Sequence, residues 1–281
     1  MNDLTYYSPA KVNLFFKVLN KRSDGYHDIA SLYQTVNLFD IISIKKSKKD
    51  SFTCLSKIID LKWDDGNLIK KALLLFREKT RINHSVEIIL NKNIPIEAGL
   101  GGGSSNAATM LFALNELFDN PLNVSELKSI SSKIGADVAF FFSSGKAFCR
   151  GIGDVFEEIK PEGRIDFYIA KPSFGMSTKK VYQNVKLGLL IKQDSNNLRE
   201  LVYNNKISYF NDLEVSAFEL EPRLSEVKNQ LMKMGFDRVV MTGSGSSFLC
   251  FGEVPIIENK EINFYKVFNI QRNPKNWYSL A

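Results

Sequence analysis

The chain has 281 residues, 44% hydrophobic and 24% charged, the composition of a soluble globular protein with room for one large or two ordinary domains. Its net charge of +6 and pI near 9.0 admit nucleic acid, a membrane surface or a polyanionic small molecule as partner, and with no run of 18 apolar residues no transmembrane helix is expected. Cys54, Cys149 and Cys250 form no C-x-x-C pair and read as small core residues, and with only His27 and His84 available no metal-ligand cluster is proposed.

The first patterned segment is SPAKVNLFF. Across residues 10–18, Ala10, Val12, Leu14, Phe16 and Val18 fall on one face and Lys11, Asn13, Phe15 and Lys17 on the other, which predicts a strand whose Lys11 and Asn13 project together. The polar residues Lys11, Asn13 and Lys17 also interrupt this apolar stretch, so no signal peptide is read and the cytoplasm is the expected compartment. The loop NKRSDG leads to adjacent Tyr26 and His27, an aromatic ring and an imidazole able to stack on a nucleobase and bond its edge; as a dipeptide they fit an ordinary turn exit equally well. Residues 29–38 and 41–44 read as further strands. The run KKSKK, Lys45 to Lys49, reads as a solvated turn, because no aromatic side chains alternate with the lysines. A helix is predicted over residues 67–81, with Leu68, Ala72, Leu75 and Phe76 inward, and a strand over 86–90.

Residues 95–118, PIEAGLGGGSSNAATMLFALNELF, organise the rest. Four glycines lie between Gly99 and Gly103, and Ser104 and Ser105 are expected to open a helix with Ala107, Leu111, Leu114 and Phe118 on one face and Ala108 and Phe112 beside them. Glycines let the backbone aim its N–H groups at one point off the helix's positive end, a concavity suited to phosphate. No lysine lies between Lys92 and Lys128, which excludes a Walker A loop, and Gly99, Gly101 and Gly103 lack the dinucleotide spacing. A glycine-rich turn capped by serine remains the alternative.

A helix over residues 124–134, capped by Asn123 and stopped at Gly135, comes next. Asp137 follows in the otherwise apolar GADVAFFF. A buried carboxylate needs a partner, so Asp137 either caps a helix or serves a site, with Lys11 the candidate counter-charge. The charged, Pro- and Gly-containing stretch 160–163 marks the expected boundary between domains 1–162 and 163–281. Beyond it the pattern predicts a strand at 167–170, a helix capped by Ser177, and a helix over 219–235 with Leu220, Leu224, Val227, Leu231 and Met234 inward. Two strands then flank the Gly/Ser cluster of VVMTGSGSSFLCF, which a tight hairpin explains without a ligand. Strands and helices mix in the first half without regular βαβ alternation, which argues for α+β.

Together these pieces resemble the GHMP superfamily of small-molecule kinases, and within it the kinase family of the methylerythritol pathway. SPAKVNLFF resembles the superfamily's first motif, PIEAGLGGGSSNAA its ATP loop and MTGSGSS its third motif. DGYH, GADVAFF, RGIGD, NDLE and PSFGMSTKKVY resemble features of the pathway branch, and the strings keep the family's order from Ser8 to Phe251. The chain departs at Glu97, where many relatives have another glycine, and at Ala139, often proline; the first bears on how the loop's entrance meets the nucleotide.

The resemblance implies a two-domain GHMP kinase fold: an N-terminal domain of ribosomal-protein-S5-like α+β type, a C-terminal ferredoxin-like α+β domain, and an active site between them. It implies transfer of the γ-phosphoryl group of ATP, with Mg²⁺, to the 2-hydroxyl of 4-diphosphocytidyl-2-C-methyl-D-erythritol, with neither nucleic acid nor membrane as partner. Asp137 matches the family's catalytic aspartate and Lys11 its catalytic lysine. Pro95, Ile96, Glu97, Ala98, Gly99, Leu100, Gly101, Gly102, Gly103, Ser104 and Ser105 match the ATP loop. Asn13, Tyr26, His27 and Tyr182 match substrate contacts, the two tyrosines sandwiching cytosine and His27 reading its edge. No metal-binding side chain is identified. Two other readings stay open: a GHMP kinase for mevalonate or homoserine, which has no use for a cytosine pocket, and a basic nucleic-acid-binding module, marked by salt-sensitive binding without ATP turnover.

Overall fold

Two long strands open the chain, because its first 46 residues are rich in β-branched and aromatic side chains and hold no proline after Pro9. Strand β1 spans Leu4–Lys21 and β2 spans His27–Lys46, joined through a turn at Gly25 with φ +88°. The computed structural model describes residues 3–56, 61–160, 163–256 and 261–279. Pro161 and Glu162, within the expected domain boundary, lie outside the described residues.

The structure corrects the predicted face of residues 10–18. Asn13 pairs with Tyr33 and Phe15 with Leu32, so Leu14 is an extra residue that resets the alternation. Ala10, Val12, Leu14 and Phe15 therefore share one core, while Phe16 and Val18 enter another. The two strands predicted at 29–38 and 41–44 are one strand, because a second irregularity, between Pro9 and Ala10, takes up Asn37 and Leu38 while pairing continues.

Strand β2 carries the first sheet. It has β1 along one edge, while β4 (Val86–Asn91) and β5 (Lys146–Gly151) share the other. Strand β3 (Ser51–Leu55) runs parallel to β4, and β6 (Val155–Glu158) pairs with β5. Helices α1 (Leu68–Thr80), α2 (Gly102–Leu117) and α3 (Val124–Ser131) share a core with this sheet. Asn67 caps α1 by accepting from the N–H groups of Ile69 and Lys70. Its buried residues are Ile69, Ala72, Leu73 and Phe76; Leu68 and Leu75 stay half-exposed, so the helix is rotated from the predicted face. Helix α3 has the predicted Asn123 cap, closed reciprocally by Glu126, but ends at Ser131, with residues 132–134 as turn.

The second sheet is antiparallel in the order β10–β7–β9–β8, with β7 at Asp166–Pro172, β8 at Arg238–Met241, β9 at Phe248–Phe251 and β10 at Ile262–Phe268. Helices α4 (Thr178–Gln183), α6 (Leu213–Leu220) and α7 (Arg223–Lys233) share a core with it, whereas α5 (Ser195–Tyr203) lies against β2 and β5 of the first sheet. The single helix predicted over 219–235 is broken at Glu221–Pro222, since proline has no N–H to continue α6 and biases the residue before it away from helix. Leu224 and Leu231 are buried as predicted, whereas Leu220 is exposed. A middle core unites Ala10, Val12 and Leu32 of the first sheet with Ile169, Leu249 and Val267 of the second. Trp277 and Tyr278 return to the first core, where the Arg272 guanidinium donates to the carbonyls of Phe142 and Ser143.

Candidate active site

Among the described residues no strand pairs with the outer edge of β1, which has only the isolated bridge from Phe16 to Asn211, and buried N–H groups on such an edge need acceptors. Lys11 N–H donates to the Leu100 carbonyl at 2.9 Å, and Phe16 N–H to the Phe210 carbonyl at 2.8 Å. Asn13 N–H donates to Thr242 Oγ1 at 2.9 Å, and Val18 N–H to Asp212 Oδ2 at 3.0 Å. The glycine loop, the β8–β9 hairpin and the segment before α6 thus converge on one strand edge. The alternate residues Lys11 and Asn13 do project together there, with Lys11 Nζ donating to Asn13 Oδ1 at 2.9 Å.

Helix α2 begins two residues earlier than predicted. Its N-cap is Gly101, at φ 64° and ψ 17°, and no side chain caps it. The helix's first N–H groups are left without intrahelical acceptors at its positive end. Ser104 faces the cleft, but Ser105 is fully buried and its Oγ accepts from Ser8 Oγ at 2.9 Å. A Cβ on Gly101 would come within 2.8 Å of Lys11 Cγ, and one on Gly99 would meet the Thr242 carbonyl. Only glycine permits those approaches with φ positive.

The loop borders a cleft of about 1140 Å³ that is also lined by Lys11, Tyr26, His27, Tyr33, Asp137 and Tyr182. Asp137 does not cap the 3₁₀ turn Ala139–Phe142, which starts from Val138 without a side-chain cap. Its Oδ2 lies 3.3 Å from Lys11 Nζ, and its Oδ1 accepts from Tyr33 Oη at 3.1 Å. In the same cleft the His27 and Tyr182 rings are 5.6 Å apart, and Tyr26 is 62% exposed. Ser177 caps α4, as predicted, accepting from Lys180 N–H and so presenting Tyr182. Burial, and then nearby Lys21, lower the His27 pKa, so its ring is neutral near pH 7; its Nδ1 is buried without a partner. Burial, with the Asp137 charge second, raises the Tyr182 phenol above its ordinary value.

Residues 67–145 match the GHMP kinases N terminal domain family and residues 187–260 the GHMP kinases C terminal family. The chain is 43% identical over 279 residues to a 4-diphosphocytidyl-2-C-methyl-D-erythritol kinase of Protochlamydia amoebophila, covering 99% of this chain and 94% of that protein. The chain belongs to this kinase family. It is also 38% identical to the chloroplastic/chromoplastic kinase of the same description from Solanum lycopersicum, covering 99% of this chain and 73% of that one. A crystal structure of 4-(cytidine 5'-diphospho)-2C-methyl-D-erythritol kinase superposes with a TM-score of 0.77 at 28% identity, covering 95% of this chain and 99% of that one. Homoserine kinase from Cytophaga hutchinsonii shares the fold, with a TM-score of 0.73 at 18% identity.

In this family member, residues 95–104 of the expected ATP loop line the cleft, whereas Ser105, the last residue of that loop, is buried behind it. Asn13 is also buried below the cleft: Oδ1 accepts from Lys11, and Nδ2 donates to Ser31 Oγ at 2.8 Å. Glu97 has φ 48°, the left-handed region that glycine occupies at no cost, and its side chain packs on Gly175. The sequence reading missed the support beneath the loop. Asp40, fully buried, accepts from Lys92 Nζ at 2.6 Å, from the N–H groups of Asn93 and Ile94, and from Asn106 Nδ2 at 2.9 Å. A carboxylate flanked by apolar strand residues, Leu38-Phe39 and Ile41-Ile42, is the signal that points to it.

Proposed function

We propose that this cleft transfers the γ-phosphoryl group of ATP to the 2-hydroxyl of 4-diphosphocytidyl-2-C-methyl-D-erythritol, the kinase step of the methylerythritol route to isoprenoid precursors. The observation that carries the residue assignment is the Lys11–Asp137 pair, 3.3 Å apart and against the glycine loop that opens α2. Asp137 accepts the proton of the substrate hydroxyl as its oxygen bonds to the γ-phosphorus. The bond from that phosphorus to the β–γ bridging oxygen breaks, and ADP leaves with its electron pair. Lys11 holds the Asp137 carboxylate at 3.3 Å and offsets charge developing on the transferred group. The N–H groups at the start of α2 hold phosphate oxygens.

Tyr26 and Tyr182 stack on the cytosine and His27 bonds its edge; the shared cleft and the unpartnered His27 Nδ1 support that reading. Asn13 contributes by holding Lys11. Among the described residues no group of three His, Cys, Asp or Glu side chains is placed to hold a metal; Mg²⁺ would enter with ATP, held mainly by phosphate oxygens and water. When bound with ATP, Mg²⁺ supplies neutralisation of the phosphate charge. A division into domains 1–162 and 163–281 is supported by each sheet lying wholly on one side of it.

No helix among the described residues is long and apolar enough to cross a membrane. Relatives of similar identity include bacterial and chloroplastic proteins, so family membership is compatible with more than one compartment. The test is ADP release with ATP and each of three acceptors: the cytidylyl substrate, mevalonate and homoserine. Turnover is expected with the first alone; equal or greater turnover with another acceptor overturns the assignment.

A further inference from the structure

We propose that Tyr33 is a positioning residue for the phosphoryl transfer, fixing the Asp137 carboxylate and the Lys11 ammonium in one closed triangle; this rests on the reading of Asp137 as the base. Each of the three side chains touches the other two. Tyr33 Oη donates to Asp137 Oδ1 at 3.1 Å, Lys11 Nζ lies 3.3 Å from Oδ2, and Nζ lies 4.2 Å from the centre of the Tyr33 ring. The ammonium is thus held by the carboxylate on one side and the π-face on another.

Tyr33 is itself enclosed by packing and strand pairing. It is 2% exposed, its backbone pairs with Asn13 of β1 and Ala147 of β5, and Phe140 packs edge-on against its ring at 5.2 Å. The turn between β5 and β6 supplies the last wall. Gly153 has φ +100°, and a Cβ there would come within 2.8 Å of Tyr33 Oη and 3.4 Å of Asp137 Oδ1, so glycine leaves the room that the hydroxyl occupies.

The phenol serves as a donor and not as a rival base. Burial, and then the adjacent Asp137 charge, push its pKa well above the ordinary tyrosine value, so it keeps its proton throughout the working range. The groups that face Asp137 are Lys11 from β1, Tyr33 from β2, Cys149 from β5 and Tyr182 from α4. Burial raises Cys149 and Tyr182 as well, which leaves Lys11 as the one charge among these four. A hydrogen bond donated to an ionised carboxylate favours its charged form, and a fixed donor also fixes the carboxylate plane toward the acceptor hydroxyl.

The test is Tyr33→Phe, which keeps the ring over Lys11 and removes the donor. In protein labelled with ¹³C at aspartate Cγ, the Asp137 resonance is assigned by its loss in Asp137→Asn and titrated without substrates. Its midpoint is expected to rise, because the variant loses a donor to the charged carboxylate. The acid limb of the kcat profile should move the same way, with kcat lower by about three- to tenfold and the ATP KM within about twofold. Gly153→Ala, which crowds the hydroxyl from the opposite wall, should move both readouts in the same direction. An unmoved midpoint and acid limb in Tyr33→Phe overturn the proposal and leave Tyr33 as core. A moved midpoint with wild-type turnover in Asp137→Asn removes Asp137 from the mechanism, and the positioning role with it.

Discussion

Alanine at two glycines, two positions apart, should have opposite effects. Gly101 caps α2 at φ 64°, where an L-residue pays about 1–2 kcal/mol. Its new Cβ would also stand 2.8 Å from Lys11 Cγ and 3.1 Å from Cε. Lys11 cannot move aside freely, because Asn13 Oδ1 holds Nζ at 2.9 Å, Asp137 Oδ2 at 3.3 Å and the Tyr33 ring at 4.2 Å. Strain and displaced packing together should cost Gly101→Ala about 2–3 kcal/mol of stability. Gly103 lies inside α2, and its Cβ would make an ordinary 3.5 Å contact with Leu68 Cδ1. Without ligand, Gly103→Ala should gain about 0.5–1 kcal/mol from helix propensity.

Urea unfolding of the two ligand-free variants measures this difference, and kcat measures its consequence. Restoring an ordinary 3.4 Å contact at Lys11 from 2.8 Å takes a shift of about 0.6 Å, and misplacement on that scale at a reacting centre costs about 10- to 100-fold in rate. Equal stability in the two variants, or an unchanged kcat in Gly101→Ala, would refute the claim that the glycine loop is shaped around the lysine stem.

Asp137→Asn should lower turnover by about 10² to 10⁴ while fold and ATP affinity stay near wild type; a loss below tenfold in steady-state kinetics rules out the base. Tyr26→Ala or Tyr182→Ala should cost about 1–3 kcal/mol in cytidylyl-substrate binding by calorimetry, and unchanged affinity in both would misplace the cytosine pocket. His27→Ala should narrow the kcat/KM ratio between cytidylyl and uridylyl substrates. Because burial and Lys21 lower its pKa, wild-type affinity should fall only as pH drops through that lowered value, below the ordinary imidazole range; a fall at the ordinary value would refute the neutral-ring reading. Asp40→Ala leaves the buried Lys92 ammonium unpaired and should cost about 3–5 kcal/mol in urea unfolding; a loss under about 1 kcal/mol would show that the Asp40 cluster does not anchor the loop.

The parts of the site legible in the sequence are those set by local rules. Period-two alternation put Lys11 and Asn13 on one side, and the cost of a buried carboxylate drew attention to Asp137. The hidden parts depend on distant partners. The extra residue Leu14 leaves no mark because Leu14, Phe15 and Phe16 are all apolar, so either register fits the pattern. Serine is the stronger N-cap by propensity, yet Ser105 turns inward because Ser8, on another element, offers a buried hydroxyl. Asp40 finds Lys92 and Asn106 only after β2, the loop and α2 have come together. The break in the 219–235 helix, by contrast, was announced by Pro222, whose missing N–H outweighs an unbroken apolar stripe.

The second Gly/Ser cluster is a hairpin, as its sequence predicts, but a free-standing turn does not account for its contacts. Met176 and Ser246 donate their N–H groups to the Glu97 carbonyl at 3.3 and 3.4 Å, and Ser247 donates to the Ala98 carbonyl at 3.3 Å. Gly243 lies so close that a Cβ would come within 3.0 Å of the Gly99 carbonyl. The same hairpin holds β1, the strand that carries Lys11, since Thr242 Oγ1 accepts from Asn13 N–H. Asn211 Nδ2 in turn donates to the Met241 and Gly243 carbonyls, at 2.6 and 2.8 Å, bracketing Thr242. The position of Lys11 relative to the glycine loop is therefore set from the second sheet as well as from its own strand. A single hairpin, braced by Asn211, touches both the loop proposed to hold ATP and the strand that carries the lysine.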